Sequence, residues 1–162
     1  MKGRLEPSGY LTSEQLKEAN KDGYVDVYQG GYNLINRSAE NELLPYTAAN
    51  KISFVPFFPL ASGLLAGKYT KEMTFNDLRS GMPHLQGEAF TANLAKVEQL
   101  RKIADAKQID VAHLVLAWYL TRDSIDVVIP GAKRAEQVLD NLKTVDVQLT
   151  VEEINEIERI FQ

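Results

Sequence analysis

Ile52-Ser53-Phe54-Val55-Pro56-Phe57 runs directly into Phe58-Pro59-Leu60-Ala61-Ser62-Gly63-Leu64-Leu65-Ala66-Gly67-Lys68, and the fold turns on how this junction is read. The first six residues are apolar nearly throughout, the pattern of a strand buried on both faces in a parallel sheet. The residues after Phe57 are small and glycine-rich. They fall where such a sheet presents the C-terminal end of a strand, the end at which ligands bind in open or closed parallel sheets.

Working outward, Tyr24-Val25-Asp26-Val27-Tyr28 is a β-branched and aromatic run suited to a strand and broken by Gly30-Gly31. Thr12-Ser13-Glu14-Gln15 reads as a capping box opening a short helix to about Asn20, with Gly23 placed to stop it. A helix is expected over about 38–50, limited or kinked by Pro45. On the far side, 70–87 is irregular and polar. Phe90, Leu94, Val97, Leu100 and Ile103 then mark one face of a long helix over 89–106. Asp110 can cap a further helix through Trp118 and Leu120, and Asp126-Val127-Val128-Ile129 is a short strand closed by Pro130-Gly131. A helix over 134–142 and a second capping box, Thr150 to Glu153, complete the chain. Strands alternating with helices argue for parallel pairing. Three strands are legible, with a fourth conceivable near the N-terminus. A closed (β/α)8 barrel needs eight strands and about 250 residues. The 162-residue chain is therefore expected to be one incomplete domain over 1–162, an α/β half of a TIM barrel with three to four parallel strands and outer helices.

A net charge of -4 gives no electrostatic reason to expect nucleic acid or an anionic membrane as partner. The absence of cysteine excludes disulfides, thiolate metal sites and cysteine nucleophiles, and no metal site is expected. The first seven residues lack the apolar core of a signal peptide, and the most apolar window, Ile52 to Leu65, is interrupted by proline, serine and glycine. A soluble cytoplasmic protein is the expectation.

Three strand ends offer chemistry. Gln29 supplies an amide that can pair with another carboxamide or satisfy nearby backbone. Phe57 supplies a flat face for a heteroaromatic ring, or simply a core side chain. In the following loop the Ser62 hydroxyl, the approachable backbone at Gly63 and Gly67, and the Lys68 cation could hold a pyrophosphate or make an ordinary turn. Past the last strand, Pro130-Gly131-Ala132-Lys133-Arg134 joins backbone N–H groups at a helix start to two cations, one a planar fork matched to phosphate. Gln137 and Asn141 share that helix face with Arg134. The competing reading is a solvated basic helix start. His84 and His113 are read as structural or exposed.

These motifs, taken together, resemble the C-terminal half of an aldo/keto reductase. Asp26-Val27-Tyr28-Gln29 with Tyr32-Asn33-Leu34 is similar to the family's sixth strand, and Ile52 through Tyr69 to its seventh strand and cofactor loop. Val115-Leu116-Ala117-Trp118 resembles the helix before the eighth strand, and Val128 to Lys133 with Gln137 and Asn141 the segment holding the adenosine 2′-phosphate. The likeness is nearest to bacterial reductases of the inositol-utilisation or general-stress type, and less near to potassium-channel β subunits. It implies NADP(H) as cofactor. Gln29 would contact the nicotinamide carboxamide, and Phe57, where the family has tyrosine, would stack on the nicotinamide. Leu60, Ser62 and Lys68 would line the pyrophosphate, and Gly131, Lys133, Arg134, Gln137 and Asn141 would hold the adenosine phosphate and adenine.

The family's catalytic aspartate, tyrosine, lysine and histidine lie on its first four strands, to which nothing here corresponds. No catalytic residue is therefore assigned, and Tyr32 and Tyr69 do not occupy the catalytic position. Pro7-Ser8-Gly9-Tyr10 replaces the Ser-Asn of the fifth strand, and Gly30-Gly31 replaces larger residues. Two readings follow. The chain is the cofactor-gripping portion of an enzyme reducing aldehydes or ketones with NADPH, the carbonyl substrate being engaged only when the N-terminal half is supplied. Alternatively it is a truncated, non-catalytic NADP(H)-binding or interaction module. Either half barrel exposes sheet edges and apolar surface, so self-association or a partner half is expected.

Overall fold

A computed structural model describes residues 11–162; the Pro7–Tyr10 departure and any strand near the N-terminus lie outside the described residues. The first helix, α1 (Ser13–Ala19), opens with the expected capping box. The Gln15 N–H donates to Thr12 Oγ1 at 3.2 Å, and the Thr12 N–H donates to Gln15 Oε1 at 2.8 Å. Asn20 then ends the helix, and its buried side-chain oxygen accepts the Val25 N–H at 3.1 Å.

Strands β1 (Val27–Gly31) and β2 (Ser53–Phe57) pair in parallel, in register from Val27 opposite Ser53 to Gly31 opposite Phe57. The first strand lies three residues later than its sequence pattern suggests, because Gly30 and Gly31 belong to it rather than break it. Packing gives the reason. A Cβ on Gly30 would stand 2.6 Å from Tyr28 Cε1 and 2.8 Å from Phe54 Cζ, so glycine makes room for two core rings whose centroids are 5.5 Å apart. At Gly31 a Cβ would meet the tip of the Phe57 ring at 2.9 Å.

The connection between the strands holds a 3-10 turn (Ser38–Glu40) and α2 (Leu43–Ala49), two pieces in place of one helix over 38–50. Pro45 is the third residue of α2, where its missing N–H has no intrahelical acceptor to lose. Helix α3 (Gly87–Ala106) buries the five-residue face read from its sequence. Helix α4 (Val111–Tyr119) is buried on nearly all sides and forms the centre of the core, with Leu114, Val115, Trp118 and Tyr119 fully enclosed. The second capping box, Thr150 with Glu153, opens α6 (Val151–Ile160), whose Ile157 is buried.

The expected third strand does not form. Among the described residues the sheet has two strands, not three or four. The chain passes β2 with one backbone bond, Phe54 N–H to Ser124 O at 3.1 Å, and a hydrogen bond from Ser53 Oγ to the Asp126 carboxylate, and then diverges. Val127 and Ile129 are 47% and 59% exposed, and α5 (Ala135–Leu142), the helix that follows, buries no residue. An edge segment gains little from a ladder when nothing covers its apolar side.

Gly30→Ala should destabilise the fold by about 1–3 kcal/mol, the usual cost of forcing extra volume between packed rings. Urea unfolding checks this, and an unchanged midpoint would refute the packing role given to Gly30.

Candidate functional site

The parallel register sets Gly31 beside Phe57, so both strands end on the same side of the sheet and their loops emerge together. Gln29 does not mark a strand end, as its sequence suggests. It is the third residue of β1, opposite Val55, exposed, and on the same sheet face as Phe57 by the two-residue alternation. Phe57 is half-buried, its ring tip over Gly31 and its edge against Phe58 at 5.3 Å between centroids.

The loop leaving β2 is conformationally unusual. Phe58, Ala61 and Ser62 have φ of 52°, 45° and 58°, and Gly63 and Gly67 have φ of 96° and 72°. Each non-glycine residue in this region costs about 1–3 kcal/mol unless its surroundings over-determine it. Here they do. The Gly63 and Leu65 N–H groups converge on the Leu60 carbonyl at 2.8 and 3.1 Å. The Tyr69 hydroxyl donates to Ser62 O at 2.5 Å, and Arg79 Nη1 donates to that hydroxyl at 3.0 Å. Arg101 Nη2 donates to Gly67 O at 2.6 Å.

The Tyr119 hydroxyl, fully buried, lies 3.0 Å from both Tyr32 O and Pro59 O and donates to the loops following both strands. Burial, then the nearby Tyr32, pushes its ionisation far above the ordinary phenol range, so it remains a donor.

The two loop glycines serve packing. A Cβ on Gly63 would stand 2.7 Å from the Tyr69 hydroxyl, and one on Gly67 would stand 3.0 Å from Val111 Cβ. The space a side chain would take at these two positions is thus filled by protein. The Ser62 hydroxyl points to Met82 Sδ at 3.0 Å. Lys68 is exposed and joins no ion pair among the described residues, while its charge helps hold the Asp140 carboxyl low.

The basic corner precedes α5. Arg134 has extended backbone and caps the helix without a side-chain bond; its carbonyl accepts the Gln137 N–H at 3.1 Å, and no side chain caps the other first-turn N–H groups. Lys133 and Arg134 are exposed and form no ion pair among the described residues. Gln137 reaches back so that its Oε1 accepts the Lys133 N–H at 2.7 Å, bracing the corner and keeping only its amide N–H groups for a ligand. Gly131 has open space where a Cβ would point, so no packing demands glycine there. Asn141 is half-buried and borders an apolar groove with Pro130 and Ile129. The Lys133 charge reaches Asp77, whose carboxyl is held at about 2 mainly by hydrogen bonds from Arg79. The charge of Lys68 thus acts on α5 at Asp140, and that of Lys133 acts on the 77–81 turn at Asp77.

Tyr32 is fully buried and its hydroxyl donates to Glu40 Oε1 at 2.6 Å, while Tyr69 is committed to the loop backbone. The sequence reading missed Tyr69, Arg79, Arg101 and Tyr119, which hold the site in shape. Their only trace is polar-tipped side chains inside otherwise apolar or irregular stretches.

The sequence profile described as the aldo/keto reductase family matches residues 8–162. The chain is 32% identical to a probable voltage-gated potassium channel subunit beta of Oryza sativa, over 99% of this chain and 52% of that protein. It is 35% identical to an aldo-keto reductase of Bacillus subtilis, over 77% of this chain and 39% of that protein. Among solved structures, a glycerol dehydrogenase of Gluconobacter oxydans superposes with a TM-score of 0.85 at 28% identity, over 93% of this chain and 46% of that one. The chain thus spans about half, or less, of the length of the relatives it matches.

Tyr119→Phe should cost about 1–3 kcal/mol, because two buried carbonyls lose their shared donor, and should speed amide exchange across 58–68. Exchange in that loop unchanged from the parent would refute the hydroxyl's role as its anchor.

Proposed function

The chain belongs to the aldo/keto reductase family, and we propose that it is the portion of such an oxidoreductase that grips NADP(H), serving an enzyme that reduces aldehydes or ketones. One observation carries the reading. Lys133 and Arg134 stand exposed at the uncapped start of α5 with no carboxylate partner among the described residues. Two cations outside any ion pair among the described residues, beside oriented N–H groups, suit the extra phosphate on the adenosine ribose, and the guanidinium can engage it with two parallel bonds. This favours NADP(H) over NAD(H). Lys68 and the braced β2 loop would accompany the pyrophosphate, with Gln29 and Phe57 toward the nicotinamide.

When bound, the dinucleotide supplies the hydride that a carbonyl carbon accepts. The described residues would hold and orient it, and Tyr119, Tyr69 and Arg101 would keep the loop beneath it from relaxing. No described tyrosine is placed to protonate the carbonyl oxygen, since Tyr32 is buried against Glu40 and Tyr69 is tied to Ser62. Turnover would therefore require the other half of the barrel, from a longer chain or a separate polypeptide.

A second reading, a non-catalytic module that pairs with another half, is favoured by an apolar groove of about 290 Å³ walled by Leu116, Leu120, Val128, Ile129, Val138 and Leu142. Most of those side chains are large and exposed, and they continue the uncovered edge left where the third strand fails to form.

Titration of the chain with NADPH and NADH should give tighter NADPH binding. Lys133→Ala and Arg134→Ala should each weaken NADPH about tenfold, the loss of a charge-assisted hydrogen bond of about 1.5 kcal/mol, and leave NADH nearly unchanged. Equal affinity for the two dinucleotides in the parent chain would refute the phosphate assignment. In sedimentation the chain should self-associate at micromolar concentration, and Leu142→Glu in the groove wall should reduce this. A clean monomer would count against the pairing surface.

A further inference from the structure

Asp110, His113 and Asp140 each bring one ligand atom within 4.8 Å of the other two, and the proposed dinucleotide grip uses none of them. His113 lies in the first turn of α4 with its side chain 6% exposed, and its Nε2 is buried without a hydrogen-bond partner. A buried imidazole nitrogen without a hydrogen bond costs about 1–3 kcal/mol, and no described protein group supplies one. Asp140 Oδ2 is 3.5 Å from that nitrogen but not hydrogen-bonded to it. Asp110 occupies the N-cap position of α4 in extended conformation, yet its carboxylate does not cap the helix.

We propose that Asp110, His113 and Asp140 form a divalent transition-metal site, best suited to Zn2+, that fastens α5 to α4. Two donors at about 2.0–2.2 Å on a tetrahedral centre stand about 3.4 Å apart. The His113–Asp140 separation of 3.5 Å is close to that value, and a side-chain rotation of the exposed Asp110, whose ligand atom is within 4.8 Å of the other two, would close the third edge. One imidazole and two carboxylates make a donor set that zinc accepts, with water in the fourth position.

The site also has a mechanical rationale. Helix α5 buries no residue but carries Gln137 and Asn141, so a metal bridge to the buried α4 would fix the helix from which the basic corner starts. Lys143 now supplies the counter-charge: its Nζ is 2.8 Å from Asp140 Oδ1, it also feels Asp110, and its side chain is 69% exposed and able to swing away. Lys68 is the other cation near Asp140. A metal must therefore compete with Lys143.

Calorimetric titration of the full chain with Zn2+, and the visible spectrum after adding Co2+, test the assignment. One equivalent should bind, and Co2+ should give the intense absorption of a tetrahedral site. His113→Gln should abolish both signals, and Asp140→Asn, at a more exposed position, should weaken binding by roughly tenfold or more. Lys143→Gln should strengthen binding by removing the competing cation, and His84→Gln should change nothing. Absence of stoichiometric binding, binding that survives His113→Gln, dependence on His84, or weakening in Lys143→Gln would each overturn the proposal.

Discussion

One buried hydroxyl, that of Tyr119, joins the three parts of this structure that most need joining. It ends the most buried helix, and from there it reaches the carbonyls of Tyr32 and Pro59, just past the ends of β1 and β2. Two strands make the smallest possible parallel sheet, and parallel pairing offers no hairpin to fix where the chain goes next. A donor in the core that holds both exits does what a turn does in an antiparallel sheet. The aromatic ring carrying it is set by neighbours, edge-on to Tyr32 at 5.9 Å and to Trp118 at 5.0 Å, so the hydroxyl has little freedom to move.

That anchoring explains how the β2 loop tolerates three non-glycine residues at positive φ within five positions. Strain of this kind persists only when several groups agree on one backbone path. Tyr69 grips Ser62 O, Arg101 grips Gly67 O, and Tyr119 grips Pro59 O, so three side chains, two of them from α3 and α4, fix the same loop. Elsewhere in the core, Arg122 lies over the Trp118 ring at 4.4 Å and pairs with Glu158, while Arg37 holds Glu40 at 2.8 Å. Burial alone would raise Glu40. Hydrogen bonds from Arg37 and Tyr32, with the charges of Arg37 and Arg122, more than offset it and keep the carboxyl below its ordinary range. Arg37 also stands 3.6 Å from Glu158, so the charged cluster ties the C-terminal helix to the segment after β1.

Helices and their ends were legible in the sequence because their causes are local. Thr12 with Gln15, Thr150 with Glu153, and the stripe from Phe90 to Ile103 act within a few residues and appear as read. The basic corner was legible for the same reason: its residues are consecutive or share one helix face. Gly30 and Gly31 were misread as a break because the rings that require glycine come partly from another strand, Phe54 and Phe57, and no local pattern announces them. The packing at Gly63 and Gly67 was likewise invisible, since Tyr69 and Val111, which fill the space beside them, announce nothing locally. His113 gave no hint in sequence, because Asp140, whose carboxylate stands 3.5 Å from its ring, lies on a different element.

The missing third strand follows from the same logic of long-range dependence. Asp126-Val127-Val128-Ile129 has the composition of a strand, and its first contacts with β2 are made, yet the ladder stops after them. A strand gains from pairing on both edges and from cover on both faces. Here one edge has no neighbour among the described residues, and the helix that should cover it buries nothing. Intrinsic strand preference spans only about 1 kcal/mol between residue types and depends on cover, so it does not replace that cover. The position of the basic corner is inherited from this segment, since Lys133 and Arg134 follow it directly. Whatever fixes the segment or α5, whether a second half seated in the apolar groove or a cation drawn to His113, would also fix the separation of the two cations from Lys68. Affinity for a phosphate-bearing dinucleotide should therefore rise with any contact that orders this edge, even one made far from the ligand.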